Sequence, residues 1–139
     1  MRTNYFETDT ARVFYDQSLD TLFLEYLDKV KNHDEFVEIN SALLNAFRQL
    51  DTQKFVADIR SMGVISVDSQ QWVVDVLLPG MMEHLDGKEL HHAQLLDPSE
   101  IFSKVSAGNI KNKSKAKEDG FTVHQFSEQD ELEDFLKSL

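Results

Sequence analysis

An α/β domain built on a mixed sheet is the fold class this sequence predicts, on three observations. At the amino end, aromatic and β-branched residues come in short runs split by polar turn residues, the mark of a hairpin. From about residue 33 the hydrophobic period changes, and helices alternate with short strands in the order α-β-α-β-α-β-α. Alternation of this kind, with short connections, favours parallel strands joined by right-handed crossovers. With 139 residues, no internal repeat and no second core, residues 1–139 read as a single domain.

The strands follow from composition. Residues 5–7 form a short first strand; residues 12–15 and 21–26 are the richer runs, separated by the turn residues Asp16, Gln17, Ser18, Leu19 and Asp20. The hairpin they form should add antiparallel strands at one side of the sheet. Residues 55–59, 90–96 and 121–126 are the expected later strands.

About four helices are expected. In the first, Phe36, Ile39, Leu43, Phe47 and Leu50 share one face, widened by Val37 and Leu44. Asn32 and Glu35 stand three apart as a capping pair at its start. The second spans about 67–85 with Trp72, Val73, Val76, Leu77, Met81 and Leu85 inward. Pro79 removes a backbone hydrogen bond there, so a kink or an early stop is expected near Leu78. Asp86 and Gly87 suit the left-handed turn that closes it. The third opens at Asp97-Pro98-Ser99-Glu100, where a cap, a first-turn proline and a capping box coincide, and buries Ile101, Phe102 and Val105. Residues 108–120 are polar, glycine-bounded and nonperiodic, a loop. Ser127 should cap the last helix, whose stripe is Leu132, Phe135, Leu136 and Leu139.

Composition excludes several function classes. A hydrophobic content of 41% and a charged content of 28% suit a folded chain. No apolar run reaches membrane-span length, and the first ten residues carry no charged-then-apolar leader. The absence of cysteine removes disulfides, thiolate zinc sites and a cysteine nucleophile, and suits the cytoplasm. A net charge of −11 argues against nucleic acid, whose phosphates require lysine and arginine, and against anionic membrane surfaces. No Gly-x-Ser-x-Gly, phosphate loop, dinucleotide fingerprint or His-Glu-x-x-His is present, so no enzyme and no cofactor is expected.

The most informative stretch is residues 55–72. An apolar strand there ends near Asp58, turns through Met62 and Gly63, and enters a helix at Ser66. Open α/β sheets place ligands and switches where a buried strand meets the start of a helix. Asp58, Gly63, Ser66, Asp68, Gln70, Trp72, Leu78 and Pro79 follow in the order familiar from small bacterial STAS-like proteins, and the order of elements resembles the STAS domain, the SpoIIAA-like fold of bacterial anti-sigma-factor antagonists. The closer likeness is to small bacterial STAS-like or CRAL-TRIO-like proteins, which also tend to end in a phenylalanine-bearing strand and a short amphipathic helix, as Phe126 and residues 130–136 do here. The resemblance implies a SpoIIAA-like mixed sheet and a regulatory role. Ser61, Ser66 and Ser69 stand where the antagonists carry a phosphorylatable Asp-Ser-Ser-Gly-like run, but that run is missing.

Each candidate has a structural reading beside the functional one. Ser66 can cap its helix through backbone amides, or accept a phosphate favoured by the helix dipole. Asp58 can hold the turn or bind a ligand. Asp58, Ser61, Ser66, Asp68, Ser69 and Trp72 form the candidate switch or partner-contact surface. Lys111, Lys113, Lys115 and Lys117 form the one basic cluster, either a solvated loop or a grip for an anion or for an acidic patch on a second subunit. His91 and His92 point to opposite faces of their strand, and with Glu89 they fall short of a metal site; His33, His84 and His124 lack ligand spacing.

Together these features predict a non-enzymatic interaction module acting through a protein partner or through self-association as a homodimer. The alternative is a small carrier holding an apolar or anionic ligand between sheet and helices.

Overall fold

The computed structural model describes residues 2–63, 65–96 and 121–139. Its six strands lie in chain order across one sheet. Strands β1 (Arg2–Glu7), β2 (Ala11–Asp16) and β3 (Thr21–Tyr26) form an antiparallel meander, so the amino end supplies three strands. Strands β4 (Lys54–Asp58), β5 (Leu90–Leu95) and β6 (Phe121–Phe126) continue from β3 in parallel, as the alternation predicts.

Because the order advances in one direction, right-handed crossovers must bring the helices after β3 and β4 to the same face. Burial agrees. Leu22, Leu24, Phe55, Ala57 and Leu90 share a core with Phe36, Ile39, Leu43, Val73 and Leu77 from the two crossover helices. The opposite face has a smaller core, in which Phe14, Phe23, Val56, Ala93 and Leu95 meet Leu132 and Leu136 of the last helix. Alternation along β2, β3, β4 and β5 divides the two sets.

Helix α1 (His33–Phe47) starts as expected: the Asn32 side chain accepts from the Glu35 amide at 2.8 Å. The Glu35 carboxylate reaches back one residue further than a capping box would, accepting from the Lys31 amide at 2.8 Å.

Pro79 does not stop the second helix. Segment α2 (Val67–Trp72) passes through a π turn over Val73–Leu77 into α3 (Leu78–Leu85) without a break. The Leu78 amide bonds back to the Val73 carbonyl, five residues earlier. This wider turn opens space where the proline ring would meet a carbonyl in a regular helix. The same turn revises the inward face: Val74 is buried, whereas Val76, expected inward, is 42% exposed, and Trp72 is half-buried. Asp86 ends α3 at φ 50°, the left-handed cap expected of it.

Helix α4 (Gln129–Lys137) buries Leu132 and Leu136. Ser127 is not its cap. The helix begins two residues later, so Glu128 holds the capping position and makes no side-chain cap bond. The far end is held instead by Lys54, which donates to the Leu136 carbonyl at 2.9 Å and to the Leu19 carbonyl at 3.1 Å.

Three helical rods stand among the described residues, against the four expected. The expected helix after Asp97, with Ile101, Phe102 and Val105, lies outside the described residues, as does the loop carrying Lys111, Lys113, Lys115 and Lys117.

Candidate functional site

Asp58 ends β4, fourth of the six strands, so the aspartate-tipped strand lies mid-sheet. Its side chain is only 7% exposed and is gripped by Arg60, whose Nε donates to one carboxylate oxygen at 2.9 Å and whose terminal nitrogen donates to the other at 2.7 Å. The Arg60 amide adds a third bond at 3.3 Å. Asp58 therefore fixes the turn that follows it, a bidentate pairing of a buried carboxylate with a guanidinium that stays partly in water.

That turn is pinned from outside as well. The Val30 amide donates to the Met62 carbonyl at 3.2 Å, and Gly63 sits at φ 75°. The left-handed geometry favours glycine, and a Cβ would press on the Lys29 Cγ at 3.2 Å.

Ser66 caps the next helix, its hydroxyl accepting from the Ser69 amide at 3.1 Å. The chain of hydroxyls then runs inward. Ser66 Oγ donates to Ser69 Oγ at 3.0 Å, and Ser69, 2% exposed, meets His33 Nδ1 at 2.9 Å. With Ser69 donating to the imidazole, every hydroxyl proton has an acceptor. The network thus ties the start of α2 to the start of α1. Between the two lies a cavity of about 230 Å³ lined by Lys31, Asn32, His33, Ile65, Ser66 and Ser69. Ser66 is exposed on the lining of this cavity, Val67 (69% exposed) and Asp68 follow it exposed, and Ser61 is exposed in the turn before. Trp72 is half-buried against the core one turn further on.

The six candidates are thus not one cluster. Ser66 and Ser69 line the cavity at the helix starts, on the face carrying α1 and α2. Asp58 shares the parity of Val56 and points to the opposite face, where it lines a larger cavity of about 320 Å³ beside α4. His33 is the residue sequence reasoning passed over. Its partner stands 36 positions away, and only the crossover topology brings them together. The alternation within β4 was the signal available for Asp58, since Phe55, Ala57 and Ile59 already claim the helical face.

Of the adjacent histidines, His91 is half-buried and His92 is sealed in the helical-face core. The space between the sheet and the helices beside His92 is about 30 Å³, room for one water and not for an organic ligand. Among the described residues, no group of three or more His, Asp or Glu is arranged to hold a metal ion, and no helix is long and apolar enough to cross a membrane.

Among known protein families, curated proteins and solved structures, none matches the chain.

Proposed function

We propose that this protein is a non-enzymatic regulatory module of the STAS-like kind, working in the bacterial cytoplasm through protein contacts made by the rim at residues 61–72. One observation carries the reading. Ser66, Val67 and Asp68 stand exposed on a backbone that Ser69, His33 and the Asp58–Arg60 pair hold in place. A surface fixed before it meets its partner loses little conformational entropy on binding. Val67 supplies an apolar contact, while Ser66 and Asp68 supply polar ones. A charge placed at Ser66 would change the rim's character without touching the core. The acidic net charge of −11 favours a partner with a basic face, which steers encounter.

The test compares proteins captured by the wild-type chain with those captured by Ser66→Glu, Val67→Asp and Asp68→Lys, with sedimentation velocity on each to follow self-association. Far-ultraviolet circular dichroism confirms that each variant folds. The reading expects at least one contact, with a partner or with a second copy, to weaken by ~10-fold or more. An unchanged partner set together with unchanged self-association would count against it.

A further inference from the structure

The 320 Å³ cavity lies on the face of the sheet away from the proposed contact rim, and its chemistry is of a different kind. Its floor is apolar. Phe14 and Phe23 stack there at 5.1 Å and 8°, with Val56 and Leu95 on the adjoining strands. One wall is the stripe Gln129, Glu133 and Lys137, spaced by four on α4. The hairpin end carries Arg2, Asp16 and Ser18, and the Arg2 guanidinium lies 4.4 Å over the Phe14 ring.

The charges sort into two groups. Glu25 is neutralised by Arg12 and Asp58 by Arg60. The remaining four, Arg2 and Lys137 against Asp16 and Glu133, form no ion pair with one another or with any described residue. The Asp16 carboxylate is fixed by the Ser18 amide at 2.9 Å and the Ser18 hydroxyl at 2.6 Å. Partial burial pulls its pKa up, but these bonds, the Leu19 amide and the charge of the amino terminus outweigh that and hold it below the usual carboxylate range. The Glu133 carboxylate accepts from Gln129 at 3.0 Å, so each acid is hydrogen-bonded yet keeps its charge, and a lone anion entering this cavity would face both inside a strongly acidic molecule. A lone cation would leave Arg2 and Lys137 unanswered. A ligand bearing both charges answers both pairs.

The geometry points to a binding site for a small zwitterion, an α-amino acid with an aromatic or branched apolar side chain. Its carboxylate faces Arg2 and Lys137, its ammonium faces Asp16 and Glu133, and its side chain lies on Phe14 and Phe23. The volume falls in the range of small-molecule sites, and a few polar groups around an apolar floor are the usual makeup of one. The site does not depend on the proposed contact rim, so each can fail alone.

Amide chemical-shift titration of the full chain with L-phenylalanine tests the inference. Two analogues run beside it: 2-phenylethylamine, which lacks the carboxylate, and 3-phenylpropanoate, which lacks the ammonium. Phenylalanine should shift the amides of Phe14, Phe23, Val56, Leu95 and Lys137, and each analogue should bind ~10-fold more weakly. Arg2→Gln should abolish the advantage of phenylalanine over phenylethylamine, and Glu133→Gln its advantage over phenylpropanoate. Arg2 is exposed and Glu133 only half-buried, so both variants should fold. Equal binding of either analogue to the wild-type chain, shifts that map elsewhere, or no shifts at millimolar ligand would overturn it.

Discussion

Replacing His92 with phenylalanine should stabilise this protein, and the gain should grow as the pH falls. His92 is 3% exposed in the middle of β5, and among the described residues neither ring nitrogen has a hydrogen-bond partner. Its ring stacks on Phe55 at 4.5 Å and 11°. Each unsatisfied buried polar group costs about 1–3 kcal/mol. Phenylalanine removes both groups, keeps the stack and adds one ring carbon, for which the adjoining 30 Å³ of space is available. A gain of roughly 1 kcal/mol at pH 7 follows once residual crowding is subtracted. Burial, helped by the charge of His124, pushes the imidazole down from 6.5 to about 3. Between those two values the unfolded chain binds a proton that the folded chain refuses. The wild-type protein therefore loses stability as pH falls through that window, at about 1.4 kcal/mol per unit. From pH 7 to pH 5 the gap between variant and wild type should widen by about 2 kcal/mol. Urea denaturation followed by fluorescence of the single tryptophan, Trp72, at both pH values measures it. A gap that stays constant with pH, or a variant less stable at both, would refute the reasoning.

Three further substitutions probe the elements that position the rim and α4. Ser66→Ala removes the cap on the Ser69 amide and should lower stability by about 1 kcal/mol, while Ser66→Asp, which can still accept that bond, should stay close to wild type in thermal melts. Gly63→Ala forces a side chain into φ 75° against Lys29 and should cost about 1–2 kcal/mol by the same measurement. Lys54→Met strips the donor from the Leu19 and Leu136 carbonyls; stability should drop by about 1–3 kcal/mol, and amide exchange should quicken over residues 132–139 more than over α1.

Much of the architecture was legible because it rests on period. The change from short aromatic runs to helical spacing near residue 33 gave an antiparallel amino-terminal hairpin, which a further paired strand extends to a meander, the parallel strands and the rod over 67–85. Capping chemistry is local, so Asn32, Ser66 and Asp86 could be placed from neighbours alone. The misses share a different cause. Whether Pro79 breaks a helix or is absorbed by a π turn depends on how tightly α3 packs on α1, and Gly80 against Leu44 shows that packing to be close, with a Cβ there only 2.9 Å from Leu44. Val76 turned outward for the same reason. Ser127 matched a cap by residue type, yet the helix starts where Leu132 and Leu136 meet the sheet, and that position belongs to Glu128. His33 and Ser69 had no local signal at all, since their pairing is made by two crossovers landing side by side.

The central strand explains why the candidate residues separate into two places. A strand in mid-sheet has both faces covered, and alternate residues serve each: Phe55 and Ala57 support the crossover helices, while Val56 and Asp58 floor the cavity beside α4. The turn after Asp58 is the one segment that belongs to both. Arg60 grips the carboxylate on one face, and three residues later the chain reaches the pinned Gly63 and then the cap of α2 on the other. If that turn is rigid, rim and cavity are independent, and Ser66→Ala and Arg2→Gln should change stability additively within about 0.5 kcal/mol, as distant sites without shared partners do. If occupying the cavity moves Asp58, the Arg60 pairing must change and the turn with it, so the amides of residues 60–63, 65 and 66 would shift on titration although none of these lines that cavity. Arg60→Ala, which frees the carboxylate from its clamp, should then remove that response while leaving the shifts of Phe14 and Phe23 in place. The Ile59 amide also donates to the Leu95 carbonyl at 3.0 Å, and Leu95 lines the cavity, so a double-mutant cycle on Asp58 and Arg60 measures how much of any coupling between the two faces runs through that pair.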